Sequence, residues 1–363
     1  MKKIKMMMAA ALGVLVSCGS VKSGEEVVAA SRDSKVVVAY VTSWSEVMPD
    51  PQYMTHINYA FGHVNESFNG VKIDNEERLR QIVDLRKQKP ELKVLLSIGG
   101  WGSGRFSEMA ANDEYRCAFA ADCDRVVKEF ALDGIDIDWE YPTSSMANIS
   151  SSPDDTENFT LLMQDIRAAI GNEKELTLAT VASARYIDFK AILPSVDFVN
   201  IMAYDMASAP KHHSALYPSG HSGDITSDGA VTAHLKAGVP PSKLVMGMPF
   251  YGRGGDGYPS FQDYNKVGNT DTQYTEKWDE VAQVPYLADK NDTLVFGFEN
   301  PRSLAIKCQY ILDKDLLGGM YWDYSGDNEQ GDLRRTVAEN LLGKPHKAKV
   351  LVLTERGLSL IHI

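Results

Sequence analysis

The chain has 363 residues, of which 44% are hydrophobic and 24% are charged, an ordinary composition for a globular protein. This length is sufficient for one large core or two modest ones. The net charge of -12 argues against nucleic acid and anionic membrane surfaces as partners, and it suits a neutral substrate.

The N-terminal residues predict a targeting segment. Three lysines within the first five residues precede an apolar run, Met6–Val16, that is too short to span a bilayer. The following Leu15–Cys18 resembles a bacterial lipobox, in which Cys18 would be lipidated and become the new N-terminus. We therefore predict a lipoprotein signal at 1–17 and a flexible polar tether at 18–34. The protein is expected in a bacterial cell envelope, anchored at the outer membrane or cell surface; the alternative is a plain secretory signal that is cut nearby.

Strand-like and helical segments alternate from Val36 onward. Short runs rich in Val, Ile and Leu are typical of parallel strands buried on both faces. Eight strands are predicted, at Val36–Thr42, His56–Gly62, Val94–Ile98, Gly134–Asp138, Leu176–Val181, Phe198–Ala203, Leu244–Pro249 and Gly318–Trp322. Helices are predicted at Glu76–Gln88, Glu114–Ala131, Asp155–Ile170, Gly229–Gly238, Pro301–Leu312 and Asp332–Leu342, whereas the first and fifth crossovers are less clear. This alternation predicts an α/β fold, a (β/α)8 TIM barrel over 35–343; a doubly wound sheet is the weaker alternative, because no dinucleotide fingerprint or P-loop is present.

The connection after the seventh strand is long. Residues Gly254–Glu299 are rich in Gly, Asp, Tyr and polar residues, and loops of this length usually are functional or fold on their own. We predict a short insertion at 254–299, between strand 7 and helix 7. The tail at 344–363 matches no missing barrel element, and its role is unknown.

Cysteine and histidine patterns give no sign of a metal. Cys117, Cys123 and Cys308 are odd in number and lack a C-x-x-C spacing, which argues against a disulfide framework or a zinc site. We predict that they are buried as small hydrophobic residues. The adjacent His212-His213 is interpreted as an exposed loop pair rather than a ligand pair.

The segment Asp133–Pro142 reads D-G-I-D-I-D-W-E-Y-P. Side chains of a strand point alternately to opposite faces, so Asp136, Asp138 and Glu140 share one face. The apolar face, which includes Trp139, is predicted to pack in the core, while the acidic row points inward. Asp133 lies on the opposite face of the strand and is interpreted as structural.

Three buried carboxylates in a row are costly. They cannot all ionise cheaply, so at least one proton should be shared and at least one pKa raised. A carboxyl that stays protonated near neutral pH can act as a general acid, and catalysis therefore explains the row better than packing does. The other interpretations are a solvated acidic strand or a cation site made of oxygens.

The same segment resembles the D-G-x-D-x-D-x-E pattern of glycoside hydrolase family 18, residue for residue, including the W-E-Y-P ending of its chitinases. The resemblance covers about Val36–Leu342. It implies a barrel with its active site at the C-terminal ends of the strands. It also implies that the insertion, which in this family is often a small α+β unit beside the cleft, is abbreviated here.

The resemblance assigns the catalytic roles. Glu140 would be the general acid, and the 2-acetamido group of the substrate would be the nucleophile, giving an oxazolinium intermediate and retention of configuration. Asp138 would orient that acetamido group and stabilise the intermediate. Asp136 would share a proton with Asp138. Tyr204, in a Met202–Asp205 segment similar to M-x-Y-D, would donate its hydroxyl to the acetamido carbonyl; the alternative is a buried tyrosine followed by a helix-capping aspartate.

Substrate contacts are implied at the ends of other strands. Asp205 would bind sugar hydroxyls, with Met202 beside it. Ser97 lies in a segment similar to S-x-G-G, whose glycines would let the backbone approach the acidic row. Ser97 would hydrogen-bond the inner aspartate, and Trp101 would stack on a sugar, although simple packing of Trp101 is nearly as well supported. Tyr40 would line the base of the site.

Two motifs near the end of the chain complete this set. Trp322 corresponds to the tryptophan that forms the floor beneath the distorted sugar in this family. Arg253 ends a segment similar to P-F-Y-G-R and would either bind substrate hydroxyls or fix a loop carboxylate. Trp44 is interpreted equally as an outer sugar platform or as an ordinary surface residue.

We therefore expect a hydrolase that cleaves β-1,4 bonds next to N-acetylglucosamine, most simply a chitinase acting on chitin or related oligosaccharides. An endo-β-N-acetylglucosaminidase acting on N-glycans would share the mechanism. A non-catalytic lectin is a third alternative, which the presence of Glu140 disfavours. No metal or organic cofactor is implied. Contact with a membrane is expected only through the lipid anchor on Cys18. The sequence does not predict the oligomeric state.

Overall fold

The computed structural model describes residues 35–255, 257–267 and 273–343, together with the backbone of 349–354 and 357–362. The predicted signal segment, Cys18 and the tether lie outside the described residues. In the tail, two strands form an antiparallel hairpin in which Lys349 pairs with His362. None of the helices in the described part of the chain combines the length and the hydropathy of a membrane span.

Strands and helices alternate along the chain. Their bounds are β1 (Val36–Thr42), β2 (His56–Val64), β3 (Val71–Ile73), α1 (Glu76–Val83), β4 (Lys93–Gly99), α2 (Phe106–Ala111), α3 (Asp113–Glu129), β5 (Gly134–Asp138), α4 (Asp155–Ile170), β6 (Glu175–Val181), α5 (Phe189–Ile192), β7 (Phe198–Met202), α6 (Ser227–Lys236), β8 (Leu244–Pro249), β9 (Tyr251–Gly254), β10 (Gln262–Asp263), β11 (Thr275–Asp279), β12 (Val284–Ala288), β13 (Leu294–Gly297), α7 (Pro301–Asp313), β14 (Gly318–Trp322), α8 (Asp332–Leu341), β15 (Lys349–Thr354) and β16 (Gly357–His362).

Eight parallel strands close into a barrel, which confirms the predicted fold. The strand order is β1-β14-β8-β7-β6-β5-β4-β2, and pairing of β1 with β2 completes the ring. The two unclear crossovers contain a 3-10 turn at Pro51–Tyr53 and the single turn of α5.

The register of the barrel brings polar residues together at its centre. Ser97 on β4 lies beside Asp136 on β5, and Asp136 lies beside Thr177 on β6. Paired residues of parallel strands face the same side of the sheet, so these three side chains point into the barrel. The outward face of β5 is apolar: Trp139, just beyond the strand, is buried and stacks on Phe106 with ring centroids 5.3 Å apart.

The insertion is a five-stranded antiparallel sheet in the order β10-β9-β13-β12-β11. Its first strand starts at Tyr251, directly after β8, and its described residues contain a 3-10 turn but no α-helix. The interpretation of His212-His213 as an exposed pair is wrong. Both residues are buried, because the sheet covers their loop and the ring of Tyr286 on β12 packs 5.5 Å from that of His212.

The three described cysteines are free thiols. Cys123 and Cys308 are buried, as predicted, but Cys117 is exposed, so the prediction for that residue is wrong. The reason is helical geometry: six residues along α3 correspond to a rotation of about 240°, which turns Cys117 to solvent while Cys123 faces the core.

A buried ion pair joins the end of the insertion sheet to the barrel. Lys307 on α7 pairs with Glu299, and both side chains are fully buried. Ser214 adds a hydroxyl to the Glu299 carboxylate at 2.6 Å and its own carbonyl to the ammonium at 2.5 Å.

Lys307→Met is expected to lower the free energy of unfolding by about 3–5 kcal/mol, because it leaves the Glu299 carboxylate buried without a counter-charge. Urea denaturation with unchanged m-values would measure this loss. The matched control is Lys314→Met, since Lys314 is half-exposed and lies 3.8 Å from Asp228; this exposed pair should contribute less than about 1 kcal/mol. Equal losses in the two variants would contradict a structural role for the buried pair.

Candidate active site

A cleft of about 640 Å³ opens at the C-terminal ends of the barrel strands. Its lining includes most of the sequence-predicted site residues, namely Tyr40, Trp101, Asp138, Glu140, Met202, Tyr204, Asp205, Arg253 and Trp322. Ser97 and Asp136 do not line the cleft and are fully buried. The predicted residues therefore converge on one site with an upper layer open to a ligand and a lower layer within the barrel.

The lower layer is a carboxylate surrounded by donors. Asp136 accepts hydrogen bonds from Thr177 Oγ1 at 2.6 Å, Ser97 Oγ at 2.8 Å, the Tyr40 hydroxyl at 2.9 Å and Asn200 Nδ2 at 3.3 Å. Burial raises the pKa of Asp136, and these four hydrogen bonds oppose the rise. Among the described residues, no hydrogen bond joins Asp136 to Asp138.

Asp138 and Glu140 form the upper layer. Burial raises the pKa of Asp138 well above its usual range, and the neighbouring charges of Glu140 and Asp136 raise it further. Asp138 Oδ1 is buried, and within the described part of the chain it has no hydrogen-bond partner. Burial also raises the pKa of Glu140 to about 7, opposed by a hydrogen bond with Tyr141 and reinforced by Asp205. The site therefore favours protonated carboxyl groups close to neutral pH.

Tyr204 stands directly beyond β7, with its ring at the cleft. Burial raises the pKa of its hydroxyl well above the usual range, and the carboxylates of Asp138 and Glu140 add to this effect. Its described hydrogen-bond contact is the sulfur of Met320 at 3.8 Å, a weak acceptor. The neutral hydroxyl is thus able to donate to a stronger acceptor in the cleft.

The carboxylate of Asp205 is paired with the guanidinium of Arg253. Arg253 on β9 donates two hydrogen bonds to its carboxylate, each 2.6 Å long, and His213 Nδ1 lies 3.5 Å away. Burial disfavours the charged form, but the Arg253 and His213 contacts hold the pKa of Asp205 below its usual range. Arg253 thus fixes a loop carboxylate, which is one of its two predicted uses, and its side chain also lines the cleft, where binding of substrate hydroxyls stays a prediction.

Aromatic rings form the floor. The ring of Trp322, at the end of β14, lies 5.5 Å from Tyr40 and 5.6 Å from Phe61, and it is nearly parallel to Phe61. Trp101 and Trp44 project at the rim, with 62% and 64% of their surfaces exposed. Exposed tryptophans at a cleft present flat apolar faces to solvent, which suits the C–H faces of pyranose rings.

Two glycines bring the end of β4 close to the acidic row. Gly99 and Gly100 adopt φ values of 131° and 94°, which are unfavourable for other residues. A Cβ on Gly99 would overlap the backbone carbonyl oxygen of Asp138, and a Cβ on Gly100 would lie 2.6 Å from the ring of Phe61. The predicted close approach of this backbone is therefore confirmed.

A family model for glycosyl hydrolases family 18 matches residues 36–327, which includes every element of the site. The chain belongs to glycosyl hydrolase family 18.

Family 18 relatives are similar over most of the chain. Chitinase A1 of Niallia circulans is 30% identical over 83% of this chain, which spans only 58% of that protein's length. Chitotriosidase-1 of Mus musculus is 31% identical, covering 81% of this chain and 74% of the relative. Among solved structures, a family 18 N-acetylglucosaminidase from Paenibacillus barengoltzii is 32% identical with a TM-score of 0.78, covering 84% of this chain and 99% of that one.

Several residues of this family 18 site were not predicted. Asn200 is the single polar residue of an otherwise apolar strand, which was the available signal for a role inside the barrel, whereas Thr177 shares its strand with Glu175 and Thr180. Tyr141 and Tyr251 line the cleft beside predicted residues. Phe61 lies on the strand next to β1, and sequence alone gives no reason to choose it over other buried aromatic residues.

Proposed function

We propose that this protein is a chitinase that hydrolyses β-1,4 bonds between N-acetylglucosamine units with retention of configuration. The observation that carries the proposal is the acidic row. Glu140 lies at the cleft, where burial raises its pKa to about 7. Asp136 lies deeper in the barrel and accepts hydrogen bonds from four donors. The names of the similar proteins support N-acetylglucosamine as the sugar, since they include a chitinase, a chitotriosidase and an N-acetylglucosaminidase.

The first step is proton transfer coupled to internal attack. Glu140 donates its proton to the glycosidic oxygen as the bond from that oxygen to C1 breaks. The carbonyl oxygen of the 2-acetamido group bonds to C1 and forms an oxazolinium ion, so no protein nucleophile is needed. The Glu140 carboxylate then takes a proton from the water that opens the ring, which restores the acid and leaves the product with its original configuration.

The other residues position the acetamido group. Asp138, with one oxygen lacking a partner, accepts a hydrogen bond from the acetamido N–H and balances the positive charge of the intermediate. The four donors to Asp136 oppose the effect of burial and favour its charged form. Tyr204 donates to the acetamido oxygen, and Trp322 supports the sugar from below.

A comparison of two substrates tests this function. Chitin tetramer to hexamer and a high-mannose glycoprotein are incubated with the protein, and the products are identified by mass. Chitooligosaccharide products from the oligomers alone support the chitinase. Release of the N-glycan alone would show that the protein is an endo-β-N-acetylglucosaminidase that uses the same mechanism. Oligomer binding without turnover of either substrate would show that the protein is a lectin and not an enzyme.

The pH dependence of kcat/KM should report the loss of the proton from Glu140. Because its pKa is raised from 4.5 to about 7, the active protonated form is present below that pH and is lost above it. We expect kcat/KM on a chitin oligomer to fall about tenfold per pH unit on the alkaline side of pH 7. Initial rates in buffers of constant ionic strength would measure this limb. An alkaline limb near the ordinary glutamate value of 4.5 would contradict the raised pKa.

We propose that the protein is anchored to a bacterial membrane through a lipid on Cys18, supported by the lipobox-like Leu15–Cys18. Cys18→Ser should move the protein from the membrane fraction to the soluble fraction or the medium, as measured by immunoblotting of separated fractions. Ser20→Ala, two residues further on, is the control and should leave the distribution unchanged. Soluble wild-type protein that takes up no labelled fatty acid would instead support a plain secretory signal.

A further inference from the structure

The buried pair His212-His213 is divided between two environments. His213 faces Asp205 at the cleft, whereas His212 points away from it toward the insertion sheet. Nε2 of His212 lies 3.2 Å from Oδ2 of Asp279, at the end of β11. Nδ1 of His221 lies 3.9 Å from the same oxygen. These three residues are not part of the cleft lining, so the proposed hydrolysis does not explain them.

We propose that His212, His221 and Asp279 form a binding site for a divalent transition-metal ion of the zinc class. One ligand atom from each residue lies within 4.8 Å of the others. Two imidazoles and one carboxylate are a common donor set for Zn²⁺, whose bonds of about 2.0–2.2 Å place neighbouring tetrahedral ligands roughly 3.3 Å apart. The spacings of 3.2 and 3.9 Å around Asp279 Oδ2 are close to that value. Water would occupy the fourth position.

The surroundings hold the ligands in place. Asp279 Oδ1 accepts hydrogen bonds from the backbone N–H groups of Val281 and Ala282, each 2.9 Å long, and Ser219 Oγ donates to Oδ2 at 2.8 Å. Contacts of this kind orient a carboxylate ligand. The backbone N–H of His212 donates to the carbonyl of His221 at 2.7 Å, which fixes the two histidines relative to each other.

A plain hydrogen bond between His212 and Asp279 does not account for the whole arrangement. It would leave His221 facing an already occupied carboxylate oxygen. A shared cation explains why two imidazoles converge on one carboxylate, and it gives the site a structural role that links the loop after β7 to the insertion sheet.

Metal titration tests this site without reference to catalysis. The full chain is treated with EDTA, dialysed and titrated with ZnCl₂ by calorimetry, and with CoCl₂ while the visible spectrum is recorded. We expect one saturable site, intense tetrahedral Co²⁺ bands and an upward shift of the thermal midpoint with Zn²⁺. His221→Ala removes a half-exposed ligand without disturbing the core, and Asp279→Asn removes the anionic one; each should weaken binding by at least about 10–100-fold.

The matched control is His63→Ala. His63 is also partly exposed and lies 2.9 Å from a carboxylate, that of Asp74, but no second histidine is part of that cluster. This variant should bind Zn²⁺ as tightly as the wild type. The proposal is overturned if no saturable site exists, or if His221→Ala and His63→Ala bind the metal equally well. Because the readouts are binding and spectra, loss of the proposed hydrolase activity would not affect this conclusion.

Discussion

Glu140→Gln is expected to lower kcat on chitin oligomers by about 10²–10⁴-fold, the usual contribution of a positioned general acid. The amide has nearly the shape of the carboxyl group, but it has no acidic proton for the glycosidic oxygen. Substrate affinity should change little, because Trp322, Asp205 and the rim tryptophans remain in place. Steady-state kinetics and calorimetric titration with a chitin hexamer would separate the two effects.

A matched exchange shows whether the loss is specific to the cleft. Glu157 is exposed on α4, so Glu157→Gln makes the same chemical change outside the site and should leave kcat unaltered. A wild-type rate in Glu140→Gln would remove Glu140 from the mechanism. A loss of binding that parallels the loss of turnover would show instead that the carboxylate holds the substrate.

Removing the acetyl group from the sugar whose C1 forms the cleaved bond should reduce hydrolysis as strongly as the loss of the Glu140 acid does. A free amine cannot supply the carbonyl oxygen that attacks C1, so the intramolecular nucleophile is lost. Intramolecular attack is worth several orders of magnitude in rate, and we expect kcat/KM to fall by at least about 10³-fold. Defined oligomers with one glucosamine unit, analysed by mass spectrometry of the products, would measure this.

The position of the amine provides the control. Glucosamine placed two units from the scissile bond should be tolerated, because the acetamido group at the cleaved sugar is intact. Efficient cleavage at a glucosamine unit would refute attack by the substrate's own amide and would require a nucleophile from the protein.

The sequence predicts the barrel and the acidic row well because both depend on short-range periodicity. All eight barrel strands appear as apolar runs, and strand parity alone separates Asp136, Asp138 and Glu140 from Trp139. The family motif then identifies Tyr204 and Trp322, which the fold brings to the same cleft. Where a function depends on neighbours within one strand, the order of residues is sufficient.

Features that depend on distant segments could not be predicted. His212 is buried because a sheet formed some 70 residues later covers it, and its contact with Asp279 has no local signature. The contacts of Thr177 and Asn200 with Asp136 require the register of three strands. The bidentate pairing of Arg253 with Asp205 joins residues 48 positions apart, and the P-F-Y-G-R motif does not specify that partner.

The donors around Asp136 also determine how this barrel can be recombined with its relatives. Tyr40, Ser97, Thr177 and Asn200 all precede residue 203, so the first six barrel strands carry all four described donors to the buried Asp136 carboxyl group. Residues after that point supply Arg253 and Trp322, which line the cleft, and the insertion sheet. A chimaera joined just after β7 would therefore keep its proton chemistry from one parent and take much of its sugar preference from the other.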